Sequence, residues 1–123
     1  MATEVSQISE ALRAFALDLP GAFEDFPWGE RVIKVNKKIF VFLGAKEGER
    51  TELYLGVKLP ESAEDVLILP FAEPMGYNLG KSGWVEFHFP PGTIPPACFV
   101  QPWIVESYRA VAPKAMGAKV RLP

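Results

Sequence analysis

The chain has little of what builds a catalytic or disulfide-stapled protein. It has one cysteine, Cys98, and one histidine, His88. A lone thiol excludes a disulfide framework and any zinc site built on cysteines. A lone imidazole leaves a Ser-His or Cys-His pair only one possible base, and no G-x-S-x-G elbow is present. Long apolar runs are also missing. The longest, such as Val66 to Phe71, falls far short of the ~20 residues that span a bilayer. Residues Met1 to Ser9 hold Glu4 and no apolar stretch, so no targeting peptide is expected. Neither sign of charge dominates, with 13 Lys and Arg against 15 Asp and Glu. A histone-like charge field is thereby excluded.

What is present is a single domain's worth of folding material. The 123 residues are 49% hydrophobic and 23% charged, which excludes disorder and suits one domain over residues 1–123. The 12 prolines are about twice the usual share and mark where regular structure stops. Val5, Ile8, Leu12 and Phe15 form one stripe of a 3.6-period helix. Thr3 or Ser6 is its expected N-cap, and Leu19-Pro20-Gly21 ends it. Ala22 to Phe26 is expected as a short helical turn. Arg31 to Val35 and Lys38 to Leu43 read as a hairpin about Asn36-Lys37, pairing Val35 with Lys38 and Ile33 with Phe40. Glu52 to Lys58 alternates, with Leu53, Leu55 and Val57 on one face and Tyr54 and Lys58 on the other. A helix is expected from Pro60 to about Leu69, with Glu61, Glu64 and Asp65 at its positive end. Phe71 to Gly83 reads as irregular. Trp84 to Phe89 alternates as a fourth strand, putting Trp84, Glu86 and His88 on one face. The last helix is expected to include Pro102 to Ala112, after an earlier turn from Pro96 to Val100. The fold class is α+β: helix, three strands, helix, strand, helix, in a mainly antiparallel sheet of four to five strands.

Motifs for chemistry are weak. Gly80-Lys81-Ser82 looks like the end of a phosphate loop, but Met75 stands where the first glycine belongs and a strand follows rather than a helix. His88 reads as a sheet histidine beside an aromatic residue. The carboxylates at Glu24-Asp25 and at Glu61, Glu64 and Asp65 read as solvated helix charges. No catalytic residue, metal ligand or cofactor is assigned, and the chain is read as a non-enzyme.

Charge is segregated along the chain. Residues 1–30 set six carboxylates against Arg13, for −5. Residues 31–60 set Arg31, Lys34, Lys37, Lys38, Lys46, Arg50 and Lys58 against three glutamates, for +4. Residues 61–106 return to −5, and residues 107–123 to +4. Basic hairpin tips can hold phosphates, and edge lysines also block sheet aggregation.

Three blocks carry a family resemblance. LDLPGAFEDFPWGERVIKVNKKIFVFL (17–43), PMGYNLGKSGWVEF (74–87) and ESYRAVAPK (106–114) follow in order, and the chain resembles the MmcQ/YjbR-like proteins in all three. The resemblance implies a compact α+β domain related in shape to a double-wing DNA-binding fold and to frataxin-like folds. It implies DNA as a partner and brings no catalytic activity with it. Carried onto this chain, the wing candidates are Lys34, Lys37 and Lys38 on the first hairpin, and Lys46 and Arg50 on the second. Tyr77, Lys81 and Trp84 are the signature residues. The expectation is a cytoplasmic protein, monomer or weak dimer, that binds DNA weakly through these wings. The alternative is a module that recognises an unknown protein or small molecule with Tyr77, Lys81 and Trp84. No membrane association is expected.

Overall fold

The structure is a computed structural model that describes residues 4–27, 31–46, 52–76, 82–89 and 95–114, with backbone alone at 4–6, 45, 46, 52 and 97. Its elements are α1 (Glu4–Leu17), β1 (Phe23–Asp25), β2 (Val32–Val35), β3 (Lys38–Lys46), β4 (Glu52–Lys58), α2 (Ala63–Val66), β5 (Ala72–Pro74), β6 (Trp84–Phe89) and α3 (Ala97–Val111). The six strands form one antiparallel sheet in the order β1-β2-β3-β4-β6-β5. The α+β class holds, with six strands rather than four to five. No helix among the described residues is long and apolar enough to cross a membrane.

The two additional strands are the edges. Phe23–Asp25 pairs with β2 where a helical turn was expected. Ala72–Pro74 pairs with β6 inside the stretch read as irregular. Both are three residues long, too short for alternation to register. Pro74 is tolerated because an edge strand leaves one side of its backbone unpaired.

The hairpin turn falls where expected. Asn36 and Lys37 adopt positive φ, 50° and 67°, the left-handed pair that a two-residue hairpin turn requires. Val35 does face Lys38, but Ile33 faces Val41 rather than Phe40. Phe40 is the additional residue of a β-bulge. A bulge leaves its residue short of ladder partners, and α3 supplies one. Ser107 Oγ donates to the Phe40 carbonyl at 2.5 Å and accepts from the Lys58 amide at 2.8 Å. The hydroxyl therefore stands between β3 and β4 one step past the Val41–Val57 pair.

One face of the sheet packs on α1 and α3. Ile33, Val41, Leu43, Leu53, Leu55, Val57, Val85, Phe87 and Phe89 all point that way and are buried. Leu12 and Ala16 of α1 meet Val100, Ile104, Val105 and Tyr108 of α3 over this layer. Tyr108 sits at the centre, edge-on to Phe40 at 5.3 Å, with its hydroxyl donating to the Pro20 carbonyl at 2.5 Å. Burial pushes the Tyr108 phenol above its ordinary pKa. Thus α3 fixes both the bulge and the turn that closes α1.

The helices differ from expectation at their ends. Helix α1 begins at Glu4, so Ser6 lies within it and Thr3 lies outside the described residues. Helix α2 spans only Ala63–Val66. The amides of Glu61 and Ser62 bond the Glu106 carboxylate at 3.1 Å instead of starting the helix at Pro60. The Ala72 amide then bonds the Leu69 carbonyl as the chain turns into β5. Helix α3 runs through Pro102 without a break. Proline's missing N–H removes only the bond to the Cys98 carbonyl, and the apolar stripe continues on both sides.

A carboxylate, histidine and tyrosine cluster on the open sheet face

Strand alternation sends a second set of side chains to the face opposite the helices. Phe42, Tyr54, Lys58, Trp84, Glu86 and His88 lie there, and Glu73 joins them from the β5 edge. Registry brings four of them together. Glu73 lies directly opposite Glu86, and Tyr54 directly opposite His88. Glu86 and His88 are two residues apart on one strand and so share the face.

The contacts follow from this register. His88 Nε2 is 3.4 Å from Glu86 Oε1 and 3.6 Å from Glu73 Oε1. The Tyr54 hydroxyl donates to Glu86 Oε2 at 3.2 Å, and its ring meets His88 edge-on at 5.2 Å. One oxygen from each glutamate and one histidine nitrogen lie within 4.8 Å of one another. Directly opposed like charges destabilise a sheet. The result is visible in Glu73, whose pKa is raised by a hydrogen bond shared with Glu86, by desolvation, and by the Glu86 charge, with His88 opposing. A groove of about 330 Å³ opens beside the cluster, lined by Pro70, Phe71, Ala72, Glu73 and His88.

Beside the cluster the open face is apolar. Trp84 packs edge-on to Phe42 at 5.5 Å and is 9% exposed. Gly56 lies between, and a Cβ there would stand 3.2 Å from Phe42 Cβ and 3.1 Å from Met75 Cε. A side chain at Gly56 would force these two apart. Gly83 immediately precedes β6 with φ +90°, and a Cβ there would stand 3.2 Å from Pro60 Cα. That close approach sets where Trp84 enters the sheet.

The sequence candidates are scattered by comparison. Lys37 and Lys38 are exposed at the β2–β3 turn, and neither forms an ion pair among the described residues. Lys34 instead binds Asp25 Oδ2 at 2.7 Å, which holds the Asp25 carboxyl below its ordinary range. Glu24 is likewise held low, first by its bond with Arg13 at 2.5 Å and further by the charge of Arg31. The Glu24-Asp25 pair is thus an ion-paired edge strand, not a helix end. Lys46 ends β3 opposite Glu52, with its side chain outside the described residues. Arg50, Tyr77 and Lys81 also lie outside them, as does Trp28. Trp84 is described, and its burial removes it as an exposed stacking surface.

Alternation in β4 and β6 already placed Tyr54, Glu86 and His88 on outward faces. Their convergence is hidden because it needs the long-range β4–β6 pairing and the short strand bearing Glu73.

Comparison with known proteins places this architecture. The YjbR family model matches residues 17–110. The chain belongs to the YjbR family. It is also similar to the crystal structure of Deinococcus radiodurans protein DR2400, which carries the DUF419 domain. That likeness has a TM-score of 0.67 and 27% identity, covering 93% of this chain and 88% of the other. No curated protein matches the chain.

Proposed function

We propose that this YjbR domain is a non-catalytic protein that binds nucleic acid weakly, with the β2–β3 hairpin as its first wing. The carrying observation is the left-handed Asn36-Lys37 turn, which holds Lys37 and Lys38 exposed and clear of carboxylates among the described residues. Phosphate contacts by these two ammonium groups would release counterions and supply sequence-independent affinity. Lys34 contributes little, because Asp25 already neutralises it. The second wing, from Lys46 to Arg50, and its resemblance-derived role belong to the same proposal. The acidic Glu73–Glu86 edge would keep the open sheet face off the duplex.

Titration of a fluorescent duplex over a salt series tests this reading. Two phosphate contacts lower the slope of log K against log salt by about 1.8, and the Lys37→Ala/Lys38→Ala double variant should lose that share. No binding at low salt, or an unchanged slope in the double variant, overturns it. A second reading is small-ligand recognition at the groove beside Glu73 and His88, a place other than the Trp84 position of the expected module.

A further inference from the structure

The cluster gathers three possible ligand atoms within 4.8 Å of one another. His88 Nε2 stands 3.4 and 3.6 Å from its two carboxylate oxygens. Two donors that share one tetrahedral zinc ion at ~2.0–2.1 Å stand about 3.4 Å apart. The cluster therefore already holds the spacing of a coordination edge on both sides of the histidine.

Its composition fits as well. Two carboxylate oxygens and one imidazole nitrogen form a mixed set suited to first-row divalent ions, whereas magnesium prefers oxygen and water. The Tyr54 hydroxyl bonds the remaining oxygen of Glu86, the kind of outer contact that orients a ligating carboxylate. The groove reaches Glu73 and His88 from solvent and supplies an entry path. All three ligands stand on the paired β5 and β6 strands, so the site is set by sheet register.

We propose that Glu73, Glu86 and His88 bind one divalent first-row transition-metal ion, with its remaining positions open toward the groove. A bound cation would face both of the opposed carboxylates. The ion is bound without change of oxidation state. This names a ligand class for the groove and does not rest on the hairpin reading.

The test uses the full chain, stripped with a chelator and titrated with Zn²⁺ by calorimetry and by thermal melting. Zinc should raise the melting midpoint and give a saturable heat of binding at one ion per chain. Magnesium at the same concentration should do neither. Glu73→Gln and His88→Gln should each weaken zinc binding more than about tenfold, while Cys98→Ser should leave it unchanged. Cobalt(II) supplies a second readout, a visible absorption that His88→Gln removes. The proposal is overturned if Zn²⁺, Mn²⁺ and Ni²⁺ all leave the midpoint unmoved. It is equally overturned if binding survives both ligand variants or disappears in Cys98→Ser. Failure here with the DNA salt slope intact leaves the hairpin reading standing, and a midpoint raised by an organic ligand alone would return the groove to small-molecule recognition.

Discussion

The two faces of the sheet are built on opposite terms. Under α1 and α3 two buried hydroxyls are fully engaged: Ser107 completes a bulged ladder and Tyr108 bonds a turn carbonyl within an apolar layer. On the open face, cross-strand register sets Glu73 against Glu86 and turns both toward a histidine. The first arrangement serves stability. The second opposes like charges across the strand pair, which costs some stability. Substitutions on the two faces should therefore move stability in different directions.

The largest effect is expected at Tyr108. Tyr108→Ala removes a fully buried ring and its bond to Pro20 and should cost about 3–5 kcal/mol in urea denaturation. Ser107→Ala leaves the Phe40 carbonyl and the Lys58 amide without their bridge and should cost about 2 kcal/mol. A near-neutral result for either would remove the distinction between the faces.

Smaller is the acid response of the β1 edge. Arg13 holds the Glu24 carboxyl below its ordinary value of 4.5, and Lys34 holds Asp25 below 3.8. Depressed native pKa values give stability that is complete above those ordinary values. It is lost as pH falls through the lower native ones, because the unfolded chain takes up protons first. Glu24→Gln should therefore flatten the acid limb of the stability profile, and an unchanged limb would show that the pair contributes nothing. The smallest effect belongs to the wing: Lys37→Ala and Lys38→Ala should each stay within about 0.5 kcal/mol of the parent while altering the salt dependence of DNA binding.

Legibility in the sequence followed range. Strands β4 and β6 match their expected limits residue for residue, since alternating apolar side chains report the pleat directly. The Asn36-Lys37 turn was legible because few residues tolerate its left-handed backbone. The Phe40 bulge was not, because its partner Ser107 lies 67 positions away. The edge strands β1 and β5 were too short to carry a period, and the Glu73–Glu86–His88 cluster was lost with β5. Lys34 reads as a wing candidate because sequence spacing does not disclose Asp25 across the β1–β2 pair.

The contrast between the faces turns most directly on Glu73→Gln, measured by denaturation in metal-free buffer near about pH 7 and about pH 4. A raised native pKa means that protonation of Glu73 stabilises the fold, and that this stability is lost as pH rises through the native pKa. Glutamine keeps the uncharged form at every pH. The variant should equal the parent or exceed it by up to about 0.5 kcal/mol near neutrality, with the difference closing in acid. A variant less stable than the parent by about 1 kcal/mol or more near neutrality would show that the open-face carboxylates hold the sheet together and would contradict the account.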